Sequence, residues 1–92
     1  DINRDLLIAK RHLQHLRKEE LKELFLELGL FDATVQNNFD RSRDTYAEDL
    51  IRAWILGKDG IGTKEEYKEG ETWENLKKAL RKINHHGVAD AI

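Results

Sequence analysis

The stretch RKEELKELFLELG, residues 17–29, decides the fold class of this chain. Its apolar residues recur at i, i+3, i+4 and i+7, the spacing of one face of an α-helix; they are Leu21, Leu24, Phe25 and Leu28. Gly29 follows directly and can end the helix, because glycine adopts the left-handed conformation without steric cost. The stretch therefore predicts an amphipathic helix with one buried face.

The same spacing continues on both sides of this helix. A first helix is predicted before it, on the stripe Ile2, Leu6, Ala9, Leu13 and Leu16. A short third helix is predicted after it, from Ala33 to about Phe39, with Asp32 as its N-cap.

Two more helices and a short sixth element follow. TYAE, residues 45–48, predicts a capping box that starts the fourth helix, which ends at Gly57 or Gly60. Residues 58–71 predict a loop with one helical turn at TKEEY. Thr72 is expected to cap a fifth helix that runs to His86 and stops at Gly87. Val88, Ala89 and Ile92 then begin a sixth, short helix.

No segment alternates apolar and polar residues with the period of a strand. The fold class predicted is therefore all-α: a six-helix antiparallel bundle whose sixth helix is short or truncated. We expect residues 1–92 to form a single domain cut from a longer protein, because the chain begins without Met.

The composition excludes several kinds of function. The 92 residues contain no cysteine, 37% charged residues and a net charge of -2, so thiol chemistry is excluded and the overall charge does not attract nucleic acid or anionic lipid. No apolar run is long enough to cross a membrane, and no phosphate-binding glycine loop occurs. We expect no catalytic residue, no cofactor, no metal and no membrane insertion, and a cytoplasmic location.

Three groups of residues carry a functional hypothesis beside a simpler one. The four histidines could supply a zinc site but are expected to be surface residues; they are His12, His15, His85 and His86. The basic face of the fifth helix could contact nucleic acid but is expected to be a solvated face; it consists of Lys77, Lys78, Arg81 and Lys82. Trp54 and Trp73 continue apolar stripes and are expected in the core.

Three segments, in this order, resemble the death-domain family, most closely its ankyrin and netrin-receptor branch. They are EELKELFLELGLFDATVQNNF (residues 19–39), AEDLIRAWILGKDG (residues 47–60) and TWENLKKALRKINHHGVADAI (residues 72–92). The first resembles the family's second and third helices, and the second its fourth helix, where an aliphatic pair precedes a tryptophan. The resemblance implies the six-helix death fold, in which the first and sixth helices pack together.

The resemblance also implies a function without catalysis. Death domains bind other death domains through charged surfaces, so an adaptor in apoptotic or inflammatory signalling is implied, with other death domains as partners and possible oligomers. The alternative is a monomeric structural domain of a membrane-skeleton or receptor scaffold. Carried over by position, the interaction candidates are Arg17, Lys18, Glu19, Arg41, Arg43, Asp44, Asp49 and Arg52. Charge reversal at Arg41 and Arg43 is then expected to abolish partner binding without unfolding the chain.

Overall fold

The computed structural model describes residues 2–92. This part of the chain is all-helical and has no strand, which confirms the predicted fold class. It contains six α-helices and one 3₁₀ turn: α1 (Ile2–His12), α2 (Lys18–Leu28), α3 (Asp32–Asn37), α4 (Arg43–Ile55), the 3₁₀ turn (Glu65–Tyr67), α5 (Trp73–Lys82) and α6 (His86–Asp90). The predicted helical turn at TKEEY is this 3₁₀ segment, and the sixth helix is short, as expected.

Helix α2 lies at the centre of the bundle, because it packs against α3, α4 and α5. Helix α1 packs mainly against α4, and α6 packs mainly against α5. The pair α1 and α6 is not among these extensive contacts, so the close packing implied by the resemblance is not a main feature of this fold. The radius of gyration is 11.7 Å, close to the value of about 12 Å for a compact chain of this length.

The core is built from the predicted stripes. Leu21, Leu24, Phe25 and Leu28 of α2 are all buried, as are Leu50, Ile51 and Trp54 of α4. Trp73 is partly buried and packs against this core, with its ring 6.2 Å from that of Trp54 in an edge-to-face arrangement. The placement of both tryptophans in or against the core is therefore confirmed.

The first turns of the helices follow the predictions only in part. The Thr72 hydroxyl accepts the Asn75 N–H at 3.1 Å, so it caps α5 as predicted. The prediction of a capping box at Thr45 is wrong, because the N-cap lies three residues earlier, at Ser42, and α4 begins at Arg43. The predicted cap at Asp32 is also wrong, since Asp32 is already helical and Phe31 occupies the cap position.

The end of α5 also differs from the prediction. The helix stops at Lys82 rather than His86, because Asn84 adopts a left-handed φ of 69°, a conformation that asparagine tolerates better than most residues. The N–H of His85 then donates to the carbonyl of Leu80 at 2.8 Å, which closes the helix end. Gly87 does not stop a helix; it lies inside α6.

The loop between α4 and α5 is long but anchored. The Gly60 N–H donates to the Gly29 carbonyl at 3.0 Å, and Lys64 Nζ donates to the Glu27 carbonyl at 2.7 Å. The Tyr67 hydroxyl donates to the Glu27 carboxylate at 2.8 Å. These three bonds hold the loop against the C-terminal half of α2. Within residues 2–92, no helix combines the length and apolar character needed to cross a bilayer.

Candidate protein-interaction surfaces

The candidates at the start of α2 have different surroundings. Arg17 occupies the N-cap position, where its backbone N–H donates to the Glu20 carboxylate at 2.8 Å while its side chain stays 86% exposed. Glu19 is exposed as well. Lys18 is engaged, because its Nζ donates to the Phe39 carbonyl at 2.8 Å and lies 5.4 Å from the Phe39 ring centroid. Arg17, whose Nε lies 3.8 Å from Glu20, and Glu19 are therefore exposed to a partner, whereas Lys18 links α2 to the segment that follows α3.

The Arg43 side chain is hydrogen-bonded to the backbone of the connection between α1 and α2. Its Nε donates to the Leu16 carbonyl at 2.8 Å, and its Nη2 donates to the Leu13 carbonyl. Its Nη1 lies 3.1 Å from Asp44, a carboxylate whose side chain is 81% exposed. Arg43 therefore holds the α1–α2 connection in place, so reversing its charge perturbs the fold as well as the surface.

Three of the candidates meet in one groove. Arg41, Asp49 and Arg52 line a groove of about 490 Å³ between α3 and α4, together with Thr34, Asn38, Ala53, Lys58 and Asp59. Arg41 Nη1 lies 3.7 Å from Asp49 Oδ2, and Arg52 Nη2 lies 3.4 Å from Glu48 Oε1. The charges of this groove, called here the α3–α4 groove, are thus partly paired within the chain.

A second groove contains residues that the sequence interpretation missed. Leu7, Lys10 and Arg11 of α1 line a groove of about 320 Å³ with Gln14, which follows that helix, and with Arg43 and Asp44. Leu7 is 62% exposed, although it lies on the first helix beside the buried stripe. The sequence feature that could have indicated this site is an apolar residue outside the buried stripe, Leu7, followed four positions later by a basic residue, Arg11. This α1–α4 groove carries three basic side chains and one acidic side chain around an exposed leucine.

The basic face of α5 is largely bound by the rest of the chain. Lys82 Nζ lies 2.8 Å from Glu66 and 3.1 Å from Glu27. Arg81 lies 3.3 Å from Asp90, and Lys78 Nζ donates to the Glu66 carbonyl at 3.4 Å. These contacts satisfy three of the four basic side chains internally, which weakens the nucleic-acid hypothesis.

The Glu27 carboxylate has a perturbed titration. Burial raises the pKa of Glu27, but the hydrogen bonds from Tyr67 and Lys82 and the charges of Lys64 and Lys82 outweigh burial, so its pKa lies below the ordinary value. Burial, together with the hydrogen bond to Glu27, raises the pKa of Tyr67. The hydrogen bonds to Glu66 and Glu27 likewise raise the pKa of Lys82. This group binds the long loop to both α2 and α5.

The histidines do not converge. The His12 ring makes an edge-to-face contact with Trp73 at 5.9 Å, while His85 Nε2 lies 3.4 Å from Glu20 Oε2 at the start of α2. Among residues 2–92, no three side chains of His, Asp or Glu are arranged to hold a metal ion.

Comparisons of the chain with protein-family models, with curated proteins and with solved structures found no match.

Proposed function

We propose that this chain is a non-enzymatic protein-interaction domain of death-domain type. In this proposal it associates with domains of its own kind through charged surfaces and serves as a cytoplasmic adaptor in apoptotic or inflammatory signalling. Support comes from the all-helical bundle and from the order of the three segments that resemble the family.

The observation that carries the proposal is the α1–α4 groove. Leu7 is exposed in this groove, where apolar area would supply affinity and charge would supply orientation. Of the three basic side chains beside it, Lys10 lies 3.4 Å from Glu48 and Arg43 donates to backbone carbonyls, which leaves Arg11. Arg11 is exposed and forms no ion pair with any residue among 2–92, so its charge is available to a partner.

A surface of opposite charge lies on another helix. Glu19 and Glu23 are both exposed on α2, four residues apart, and therefore share one face of that helix. A basic groove on one side and an acidic face on another allow each copy to bind the next in a head-to-tail manner. Such contacts do not close on themselves and can build oligomers.

The alternative function is a structural domain that stays monomeric within a larger scaffold. Internal pairing of surface charge favours it, since Arg41, Arg52 and Lys82 each contact a carboxylate of the same chain. Charges satisfied internally contribute less to binding a partner.

The experiment is light scattering over a range of protein concentration at low and high salt. We expect the average mass to rise with concentration at low salt and to fall when salt screens the charges. Arg11→Glu should weaken the association by about tenfold or more, because it places like charges in contact. Lys68→Glu is the matched control, since Lys68 is exposed in the long loop and lines neither groove.

A charge-swap experiment separates the two functions. A chain with Glu19→Arg and Glu23→Arg should bind the Arg11→Glu chain and restore the association. A chain that remains monomeric at every salt concentration, and in the mixture of variants, would support the scaffold function instead.

A further inference from the structure

A groove lies where the end of α2, the start of α3 and the long loop meet. It measures about 340 Å³, and its lining includes three apolar residues, Leu26, Leu30 and Phe31, and two charged ones, Asp32 and Lys64. Phe31 is 59% exposed, and it is the one exposed side chain of Phe, Tyr or Trp among residues 2–92. This groove, called here the Phe31 groove, shares no residue with the α1–α4 groove or the α3–α4 groove. The proposed function therefore leaves it without a role.

The backbone of Phe31 is fixed on both sides. Its N–H donates to the Asp59 carboxylate at 3.0 Å, and its carbonyl accepts the Val35 N–H at 3.1 Å in the first turn of α3. Its ring lies beside Gly60, because the ring atom Cε1 would be 3.4 Å from a Cβ placed there. An aromatic side chain on a fixed backbone loses little conformational freedom when a partner covers it. Phe31 is therefore suited to anchor an interface.

The two charged residues of the groove have opposite signs and free bonding capacity. Within residues 2–92, neither Asp32 nor Lys64 forms an ion pair. Lys64 Nζ donates one hydrogen bond, to the Glu27 carbonyl, and an ammonium group has three donors. The charge of Lys64 also acts on the Glu27 carboxylate, but that carboxylate takes its hydrogen bonds from Tyr67 and Lys82. The groove thus offers one carboxylate on α3 and one ammonium group on the long loop.

We infer that two copies of this chain pair through the Phe31 groove about a two-fold axis. In such a dimer one surface meets itself, so every contact between two different residues occurs twice. Asp32 of each copy then faces Lys64 of the other, and both contacts join opposite charges. Each Phe31 ring has room in the other copy's groove, since a cavity of about 150 Å³ already holds a benzene ring. This contact closes on itself, unlike the head-to-tail association of the proposed function, and does not depend on it.

The test is light scattering of the Arg11→Glu chain over a range of protein concentration at low salt. Because that substitution weakens the head-to-tail association, the average mass should rise to twice the monomer mass and stop there. Adding Phe31→Ala should weaken this dimer by about tenfold or more, since an anchor is lost from both halves of the contact. Leu56→Ala is the matched control, because Leu56 is 53% exposed and does not line the groove. An Arg11→Glu chain that stays monomeric, or a dimer that Phe31→Ala leaves unchanged, would overturn the inference.

A charge exchange tests the two-fold arrangement. In the Arg11→Glu chain, adding Asp32→Lys makes both cross-contacts join two positive charges, and adding Lys64→Glu makes both join two negative charges. Each variant alone should dimerise about tenfold more weakly or worse, whereas a mixture of the two should form a mixed dimer in which every cross-contact joins opposite charges.

Asp40→Lys is the control for the added positive charge, because Asp40 is exposed and does not line the groove. Circular dichroism checks that each chain is folded, since Lys64→Glu removes the hydrogen bond to the Glu27 carbonyl. Asp32→Lys leaves that bond in place and tests the same contact by itself. A dimer as strong in Asp32→Lys as in Asp40→Lys would contradict the two-fold arrangement, as would folded variants that do not pair when mixed.

Discussion

Arg43 ties the α1–α2 connection to the first turn of α4 through the carbonyls of Leu13 and Leu16. Both carbonyls belong to buried residues that follow the last turn of α1. A guanidinium is suited to this position, because its fixed fork of donors reaches two acceptors at once. Arg43, an interaction candidate by its position in the resemblance, therefore helps to stabilise the fold.

Replacing Arg43 should therefore destabilise the chain. Arg43→Ala removes two hydrogen bonds from a charged donor to the backbone, and we expect a loss of about 2 kcal/mol in the free energy of unfolding. Arg43→Lys should recover only part of that loss, because an ammonium cannot reproduce the fork. Urea denaturation measures both values.

Asp44→Ala is the control, since that side chain is largely exposed and its loss should change stability by less than about 0.5 kcal/mol. Equal effects of Arg43→Ala and Asp44→Ala would show that the backbone contacts do not stabilise the fold.

At the scale of elements, α2 and the long loop meet backbone to backbone at Gly29 and Gly60. Gly29 has a φ of 121°, and a Cβ placed on it would lie 2.6 Å from the Gly60 carbonyl oxygen. A Cβ on Gly60 would lie 2.8 Å from the Gly29 carbonyl oxygen. Both positions need glycine, because any side chain would separate the loop from the end of α2.

Two glycine substitutions should therefore act in opposite directions. Gly29→Ala is expected to lower the free energy of unfolding by about 2–4 kcal/mol, from backbone strain and the clash with Gly60. Gly87→Ala should leave stability unchanged or raise it by up to about 1 kcal/mol, because Gly87 is helical and a Cβ there meets no atom within 4 Å. Thermal and urea unfolding compare the two variants, and a stable Gly29→Ala chain would refute the packing argument.

The helices could be predicted from sequence, but several of their ends could not. The stripes in α2 and α4 are set by burial, which the spacing of Leu21, Leu24 and Leu50 records directly. Ser42 and Thr45 are both good capping residues, so local chemistry alone did not choose between them. With Ser42 as the cap, Arg43 is the first residue of α4 and contacts the α1–α2 connection. That contact is remote in sequence, so the sequence around Ser42 does not reveal it. The end of α5 shows the same limit. The left-handed conformation that ends the helix is adopted by Asn84, whereas the sequence favoured Gly87, because glycine adopts that conformation most easily.

The candidate surfaces were predicted less well for a related reason. Charged residues can be read from sequence, but their partners cannot. Three of the predicted residues, Arg41, Asp49 and Arg52, do line one groove. Lys18 and Arg43 instead donate hydrogen bonds to backbone carbonyls of the same chain. Leu7 and Arg11 could not be identified as site residues from sequence, because only the packing of α1 on α4 places them in the same groove as Asp44.

At the scale of the whole molecule, the Glu27 group makes stability depend on pH at both extremes. The pKa of Glu27 is lower in the folded chain than its ordinary value of 4.5, so its stabilisation is complete above that value and is lost as the pH falls below it. The pKa of Tyr67 is raised above its ordinary value of 10.0. Its stabilisation is therefore complete below pH 10 and is lost as the pH rises further.

Glu27→Gln should reduce the loss of stability between pH 4.5 and lower pH, and Tyr67→Phe should reduce the loss above pH 10. Tyr46 is buried, and burial raises its pKa to about 12, so part of the alkaline dependence should remain in Tyr67→Phe. Urea midpoints measured across the pH range give both slopes, with Glu69→Gln as the control. Slopes identical to those of the unaltered chain would contradict the assignment.

The contact between Gly29 and Gly60 has a consequence for the order of folding. It joins residues 31 positions apart in the sequence, and α3 and α4 both lie inside the segment that it closes. Individual helices form in about a microsecond or less, whereas contacts distant in sequence require the chain ends to meet first. We expect the docking of the long loop onto α2 to be the late, rate-limiting event, so the least helical segment of the chain would set how fast the whole bundle folds.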